Sequence, residues 1–129
     1  MKPVVAGFFQ VLEEDLAAAR HMAGVLPRIS AYHLQQAAEK LVKAILAAEG
    51  IHPGPEHNIG QLLARLPPGH EWRADLVDLD ALSRFATAYR YPSEAGRVAA
   101  PPDRAFLERH AALIESLAGD ARTWCAGKE

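Results

Sequence analysis

Several features that point to particular classes of protein are scarce or missing from this chain of 129 residues. Its single cysteine, Cys125, can form neither an internal disulfide nor a site of paired cysteine ligands, which fits a reducing compartment. The formal net charge is −2, so the chain lacks the overall positive charge with which proteins hold duplex nucleic acid. No apolar run approaches the roughly 18 to 20 residues that cross a bilayer. Acidic residues at 13–15 also interrupt the N-terminal apolar stretch before a signal-peptide core can form, so we expect a cytoplasmic protein without membrane association.

The alternation of apolar and polar residues that marks β-strands is missing too, whereas helical periodicity recurs along the chain. We therefore expect an all-α fold. Half of the residues are apolar, which at this length supports one hydrophobic core, so residues 1–129 should form a single domain. Short connections between helices favour antiparallel neighbours. The expected architecture is an up-and-down bundle of four main antiparallel helices plus one short helix.

Residues that cap or break helices delimit the predicted elements. Serine, asparagine and aspartate favour helix N-termini, glycine favours the residue after a helix, and proline stops one. These signals predict helices at about 5–23, 30–50, 57–66 and 72–90, and a last helix capped by Asp103. Ser30 is the candidate N-cap of the second helix, and Gly50 is its candidate C′ residue.

The first and last helices carry more apolar residues than one stripe needs. The stripe of the first helix includes Phe8 and leaves Phe9 outside it, and the last helix adds Ile114 and Trp124. This extra area fits either a self-complementary dimer surface or the closure of the monomer core.

The second helix combines an apolar stripe with an unusual polar face. The stripe recurs at steps of three and four residues and consists of Leu34, Ala38, Leu41, Ile45 and Ala48. The polar face consists of His33, Gln36, Glu39, Lys40 and Lys43. Glu39 and Lys43 at i and i+4 suit an ordinary exposed face, while the glutamines and the histidine need another explanation. An exposed surface and a functional face both remain open.

The sequence contains no convincing pattern for a metal ion, a phosphate-binding loop or a serine nucleophile. Its six histidines never form a close pair at ligand spacing. The Pro-Gly-Pro turn at 53–55 stiffens the chain instead of opening backbone amides to an anion, and the serines lack an elbow-like glycine context. We expect no metal and no cofactor.

The segment 84–92, RFATAYRYP, concentrates arginine and tyrosine at the end of the fourth predicted helix. Guanidinium groups grip phosphate and aromatic rings stack on bases, which is the chemistry of nucleotide or single-stranded nucleic-acid contact. With charge from the second helix, the predicted nucleotide site consists of Arg84, Arg90, Tyr91, Lys40 and Lys43. The alternative has Tyr89 in the core and the arginines solvated.

Three parts of the sequence together resemble the HEPN domain family, over residues from about 8 to 124. They are YHLQQAAEK at 32–40 with Lys43 and Ala44, His57-Asn58-Ile59 followed by two leucines, and Arg90-Tyr91-Pro92. The resemblance implies a helical bundle that binds a nucleotide, commonly as a homodimer. It also implies a frequent partnership with a small nucleotidyltransferase encoded beside it, and RNA is a further possible ligand.

The resemblance also bears on catalysis. Many family members cleave RNA without a metal, using an arginine and a histidine separated by four to six residues. After Arg84, these positions hold Tyr89, Arg90 and Tyr91, none of which suits general acid–base catalysis at neutral pH. We therefore assign no catalytic residue and favour a binding function over an enzyme.

Two alternatives to a binding domain stay open. One is a ribonuclease toxin of a toxin–antitoxin pair, in which an arginine acts with a histidine brought near by the fold or by a second subunit. Arg104 and His110 have the family spacing, but a regular helix separates their directions by about 120°. The other is a dimeric interaction module in which the polar face of the second helix docks a protein.

Overall fold

The structure is a computed structural model that describes residues 1–88 and 91–128. Its elements in chain order are α1 (Pro3–Met22), α2 (Pro27–Ala48), α3 (Ile59–Leu63), α4 (Glu71–Leu76), a 3₁₀ helix (Val77–Leu82), α5 (Phe85–Ala88) and α6 (Arg104–Ala126). The described ranges contain no strand, so the predicted all-α fold class is confirmed. Within these ranges, no helix combines the length and the apolar character that crossing a membrane requires.

Helix α2 lies at the centre of the fold. It packs against α1, α6, α3, α5 and the 3₁₀ helix. From Ala37 to Ala47, every residue except Lys40 is buried. A helix enclosed in this way is normally apolar all round, so its polar side chains must find partners inside the protein.

The start of α2 differs from the prediction. The helix begins at Pro27, whose fixed φ suits a first helical position, and Ser30 lies inside the helix instead of capping it. The Ser30 hydroxyl donates a hydrogen bond of 2.7 Å to the carbonyl oxygen of Ala19, and both groups are buried. This serine therefore ties α2 to α1.

The predicted end of α2 is confirmed. Gly50 follows the helix with φ of +77°, the left-handed region that glycine adopts without strain. The Gly50 N–H donates to the carbonyl oxygen of Ala47 at 3.0 Å, and the Ile51 N–H donates to that of Leu46 at 2.9 Å. This pair of bonds is the Schellman motif, which satisfies the last carbonyl groups of the helix.

Side chains cap the next helices where the sequence predicts. Asn58 caps α3, because its Oδ1 accepts a hydrogen bond of 2.9 Å from the Gln61 N–H. Asp103 caps α6 in the same way, with a bond of 2.8 Å from the Phe106 N–H. These contacts are local in sequence, so the residue type at each helix start was enough to predict them.

The segment expected as one helix over 72–90 is instead divided into α4, the 3₁₀ helix and α5. Its buried residues recur at steps of three: Leu76, Leu79, Leu82 and Phe85, each at most 1% exposed. A step of three matches the 3.0 residues per turn of a 3₁₀ helix, which stacks such residues on one side. The tighter winding therefore keeps all four side chains in the core.

The extra apolar residues of α1 and α6 belong largely to the monomer core. Phe9 is 2% exposed and Ile114 is fully buried, whereas Phe8 and Trp124 are only partly buried. The expectation that Phe9 lies off the main stripe is wrong. Phe9 and Ile114 therefore close the monomer core.

Candidate functional site

A buried polar network lies on α2. Gln35, Glu39 and Lys43 are 0%, 2% and 6% exposed and recur at steps of four residues. The Glu39 carboxylate accepts a hydrogen bond of 3.1 Å from Gln35 Nε2 and lies 3.0 Å from Lys43 Nζ. The alternative of an ordinary exposed face is therefore wrong for Glu39 and Lys43. Glu39 and Lys43 are therefore not accessible to a docking protein.

His57 completes this network from outside α2. Its Nδ1 lies 3.0 Å from Glu39 Oε1, and its backbone carbonyl oxygen accepts a hydrogen bond of 3.0 Å from Gln35 Nε2. The imidazole side chain is 63% exposed, although the carboxylate that holds it is almost fully buried. A buried carboxylate that orients an exposed imidazole is an arrangement found at many functional sites.

The hydrogen bonds around Glu39 keep its carboxylate ionised. Burial by itself raises the pKa of Glu39, because it disfavours the charged form. Hydrogen bonds from His57, Gln35 and Lys43, together with the charge of Lys43, outweigh burial and bring the pKa below its ordinary value. The network therefore holds a buried anion, a buried cation and an imidazole in contact.

Further polar side chains connect this network to α1. Lys40 Nζ donates to Gln36 Oε1 at 3.0 Å, and Gln36 Nε2 donates to Gln35 Oε1 at 2.6 Å. His33 Nδ1 lies 3.0 Å from Asp15 Oδ1 on α1, and Lys40 Nζ lies 4.0 Å from Asp15 Oδ2. The side chain of Lys40 is 18% exposed. The polar face of α2 is thus largely engaged inside the protein.

The predicted nucleotide site divides into two parts. Lys40 and Lys43 lie together on α2 in the network described above. Arg84 is exposed, with its guanidinium carbon 4.8 Å from the centre of the Phe85 ring, and Tyr91 is 63% exposed. Arg90 lies outside the described residues.

Tyr89, which the alternative interpretation places in the core, also lies outside the described residues. Two observations link the segment that carries Arg84 to α2 and to the segment that follows His57. Helix α5 packs against α2. The N–H of Ile59, which lies two residues after His57, donates a hydrogen bond of 2.9 Å to Oγ of Ser83, the residue before Arg84.

The ring beside Arg84 reaches α6. Phe85 contacts Phe106 edge-to-face with 5.9 Å between ring centres, and Phe106 stacks on His110 at 3.9 Å. The His110 Nδ1 lies 2.9 Å from the carbonyl oxygen of Phe106, which fixes the orientation of the imidazole. Arg84 and His110 therefore flank the same pair of phenylalanine rings.

Arg104 takes part in a different set of contacts from His110. Its Nε lies 2.8 Å from Glu108 Oε1, and its guanidinium lies against Gly24. The two side chains that share the family spacing on α6 thus have separate partners, as the helical geometry predicts. Among the described residues, no group of three or more histidine, cysteine, aspartate or glutamate side chains is arranged to hold a metal ion.

Sequence reasoning missed the contact of His57 with Glu39. It treated His57 as the start of a helix and as part of the family resemblance, and it paired Glu39 with Lys43 on the polar face of the second helix. One available signal was the polar series Gln35, Glu39 and Lys43 at steps of four, which lies along one side of a helix. The partner of that series is His57, which lies in an irregular segment. In such a segment the spacing of residues does not predict the direction in which a side chain points.

Comparisons with known proteins identify the fold and family. The family model of the HEPN domain matches residues 13–116. The fold is similar to the crystal structure of TT1696 from Thermus thermophilus, with a TM-score of 0.74 and 22% identity over 92% of this chain and 96% of that chain. It is also similar to ST0689, an archaeal HEPN homologue, with a TM-score of 0.59 and 29% identity over 98% of both chains. No curated protein matches the sequence.

Proposed function

Since the chain belongs to the HEPN domain family, we propose that it is a binding domain that holds a nucleotide, docks a small nucleotidyltransferase, or does both. We assign it no catalytic step of its own, because the positions that follow Arg84 at the family spacing contain no histidine. We further propose that it acts as a homodimer in the cytoplasm.

The observation that carries the proposal is the setting of Arg84. Its guanidinium lies beside the Phe85 ring, on an exposed turn. The Ser83 hydroxyl donates to Asp80 Oδ1 at 2.8 Å, and Asp80 Oδ1 also accepts a bond of 2.8 Å from the Gly60 N–H. A turn anchored in this way presents the arginine at low entropic cost, and a guanidinium stacked on a ring keeps its N–H edge for phosphate.

We assign the direct ligand contacts to Arg84, Arg90 and Tyr91. The exposed ring of Tyr91 is suited to stacking on a base. Lys40 and Lys43 lie close to the carboxylates of Asp15 and Glu39, which balance their charges. In this proposal the two lysines support the site from within the α2 network and reach the ligand only if those pairs open.

Thermal unfolding with a panel of nucleotides tests the proposal, in the presence and absence of a candidate nucleotidyltransferase. A ligand that binds the native state raises the melting temperature by mass action. We expect a rise with at least one nucleotide and its loss in Arg84→Ala. Arg122→Ala is the matched control, because the Arg122 guanidinium also lies over a phenylalanine ring, that of Phe9.

Two results would count against this function. The first is the absence of any shift across the panel, with and without the partner protein. The second is an equal loss of the shift in Arg84→Ala and Arg122→Ala, which would remove the assignment of Arg84. Sedimentation equilibrium tests the homodimer separately.

One observation favours a ribonuclease as the second candidate. Arg84 lies over Phe85 and His110 stacks on Phe106, so the contact between these two rings links the arginine to a histidine of α6. If these residues cleave RNA, expression should arrest growth, and either Arg84→Ala or His110→Ala should relieve the arrest. His21→Ala, a change at an exposed histidine of α1, should not. Normal growth of cells that express the unmodified protein would exclude this candidate.

A further inference from the structure

An open cleft of about 630 Å³ lies between the segment 52–57 and the region of α3. Side chains on its walls include His52, Glu56, His57, Gln61 and Arg65. The Arg65 guanidinium donates hydrogen bonds to the backbone carbonyl oxygens of His52 and Pro53, so it ties the end of α3 to that segment. Two histidines and an arginine therefore line one cleft of a chain with little net charge.

Hydrogen bonds determine which nitrogen of each imidazole carries the proton in the neutral ring. The His57 Nδ1 faces the Glu39 carboxylate, which only accepts, so Nδ1 carries the proton and Nε2 holds the lone pair. The His52 Nδ1 accepts a hydrogen bond of 3.1 Å from the Gly54 N–H, so its Nε2 carries the proton. The Nε2 of His52 is thus a donor, and that of His57 becomes one when the ring gains a proton.

The charges around His57 favour an anion in the cleft once the His57 ring is protonated. Glu39 on α2 is paired with Lys43, so that pair adds no net charge. Glu56 Oε1 accepts hydrogen bonds from the backbone N–H groups of His57 and Asn58, at 3.1 and 2.9 Å. The permanent positive charge of Arg65 offsets the negative charge of Glu56, so a proton gained by His57 makes the cleft positive.

We infer that this cleft binds a phosphate monoester group, with the Nε2 atoms of His52 and His57 as donors and Arg65 as a fixed positive charge. A monoester carries up to two negative charges, whereas a diester carries one. The second charge is matched by the proton that His57 takes up, with Glu39 holding the other side of its ring. These residues differ from the proposed contacts Arg84, Arg90 and Tyr91. A failure to bind an anion in this cleft would therefore leave the function proposed above unaffected, and the reverse is also true.

Sulfate is the first probe, because it keeps two negative charges across the pH range in which histidine titrates. Titration calorimetry should show tighter binding at about pH 6 than at about pH 8, by about tenfold, because the bond from a charged donor is lost at the higher pH. Proton uptake on binding should appear as a dependence of the binding enthalpy on the buffer. Affinity that is independent of pH would overturn the role of His57, and no binding would overturn the site.

Substitutions locate the site. His57→Gln and His52→Gln should each weaken sulfate binding by about tenfold, and His57→Gln should also abolish the pH dependence. Because the His57 side chain is mostly exposed, this variant is expected to fold, and its melting curve checks that. His21→Gln, a change at an exposed histidine of α1, is the control and should bind sulfate normally. Equal weakening in this control would place the anion elsewhere.

Three phosphate probes distinguish the source of the group. Inorganic phosphate tests a free anion, a nucleoside 5′-monophosphate tests a terminal monoester, and a dinucleotide tests a diester linkage. We expect nitrogen chemical shifts of the His52 and His57 rings to respond to the first two, and the dinucleotide to bind about tenfold more weakly. A dinucleotide that binds as tightly as the monophosphate would contradict the choice of a monoester.

Discussion

Glu39 and Lys43 form an ion pair of 3.0 Å in which the side chains are only 2% and 8% exposed. Pairs with this i,i+4 spacing usually lie on helix surfaces. Arg104 and Glu108 on α6 are such a pair, with side chains 68% and 61% exposed. The same spacing thus occurs in two opposite environments in one chain, which makes the energetics of the buried pair directly testable.

We predict that Lys43→Met destabilises the protein strongly. The substitution leaves the Glu39 carboxylate buried without its cation, which typically costs about 3–5 kcal/mol. Urea unfolding followed by circular dichroism measures the change. Glu108→Ala, which breaks the exposed pair of α6, should cost less than about 1 kcal/mol. Similar losses in the two variants would show that the Glu39–Lys43 pair is not buried in solution.

The stability of the protein should fall at acidic pH because of Glu39. Since the pKa of Glu39 is lower in the folded protein than in the unfolded chain, its contribution is present above the unfolded pKa. That contribution is lost as the pH falls through the folded pKa, because the unfolded chain binds the proton more readily. The free energy of unfolding should therefore decrease as the pH is lowered below the ordinary carboxylate range.

Glu39→Gln should reduce the slope of stability against pH in this acidic range, even though it lowers stability overall. Glu115→Gln is the comparison, because the hydrogen bond from Arg20 lowers the pKa of an exposed carboxyl there. Its smaller effect should disappear in high salt, which screens exposed charges. An unchanged slope in Glu39→Gln would refute the prediction.

Gly60→Ala should destabilise the contact between α3 and the 3₁₀ helix. A β-carbon at this position would lie 2.9 Å from Asp80 Oδ1, which is held by hydrogen bonds from the Gly60 N–H and the Ser83 hydroxyl. We expect a loss of about 1–3 kcal/mol, since crowding outweighs the better helix propensity of alanine.

Gly119→Ala on α6 is the matched control for Gly60→Ala. A β-carbon there meets nothing within 4 Å, so the substitution should stabilise the protein by up to about 1 kcal/mol. Thermal unfolding of both variants measures the difference in sign. Stabilisation by both substitutions would mean that Asp80 moves freely.

Cys125 should react slowly with alkylating reagents in the folded protein. Burial, followed by the negative charge of Glu49, raises the pKa of this thiol to about 11, so little of the reactive thiolate forms at neutral pH. Mass spectrometry after treatment with iodoacetamide should find alkylation only when denaturant unfolds the chain. Rapid modification under native conditions would contradict the burial of this side chain.

Local signals predicted the ends marked by Asn58, Asp103 and Gly50 but not the start of α2, and spacing predicted much of the core. Asn58, Asp103 and Gly50 act within a few residues of themselves, so their roles follow from residue type. The series Leu76, Leu79, Leu82 and Phe85 also contains the period of three that a 3₁₀ helix requires. The prediction of one long helix failed there because that period was interpreted as part of a 3.6-residue pattern.

The sequence by itself determined the helical class and the caps Asn58, Asp103 and Gly50, because these depend on residue type and on near neighbours. Only the tertiary structure decided that Glu39 and Lys43 lie inside the protein and that His57 meets Glu39. Their i,i+4 spacing is the same on a buried helix as on an exposed one. His57 lies 18 residues from Glu39 along the chain, so an irregular segment, and not a periodic one, brings the two side chains together.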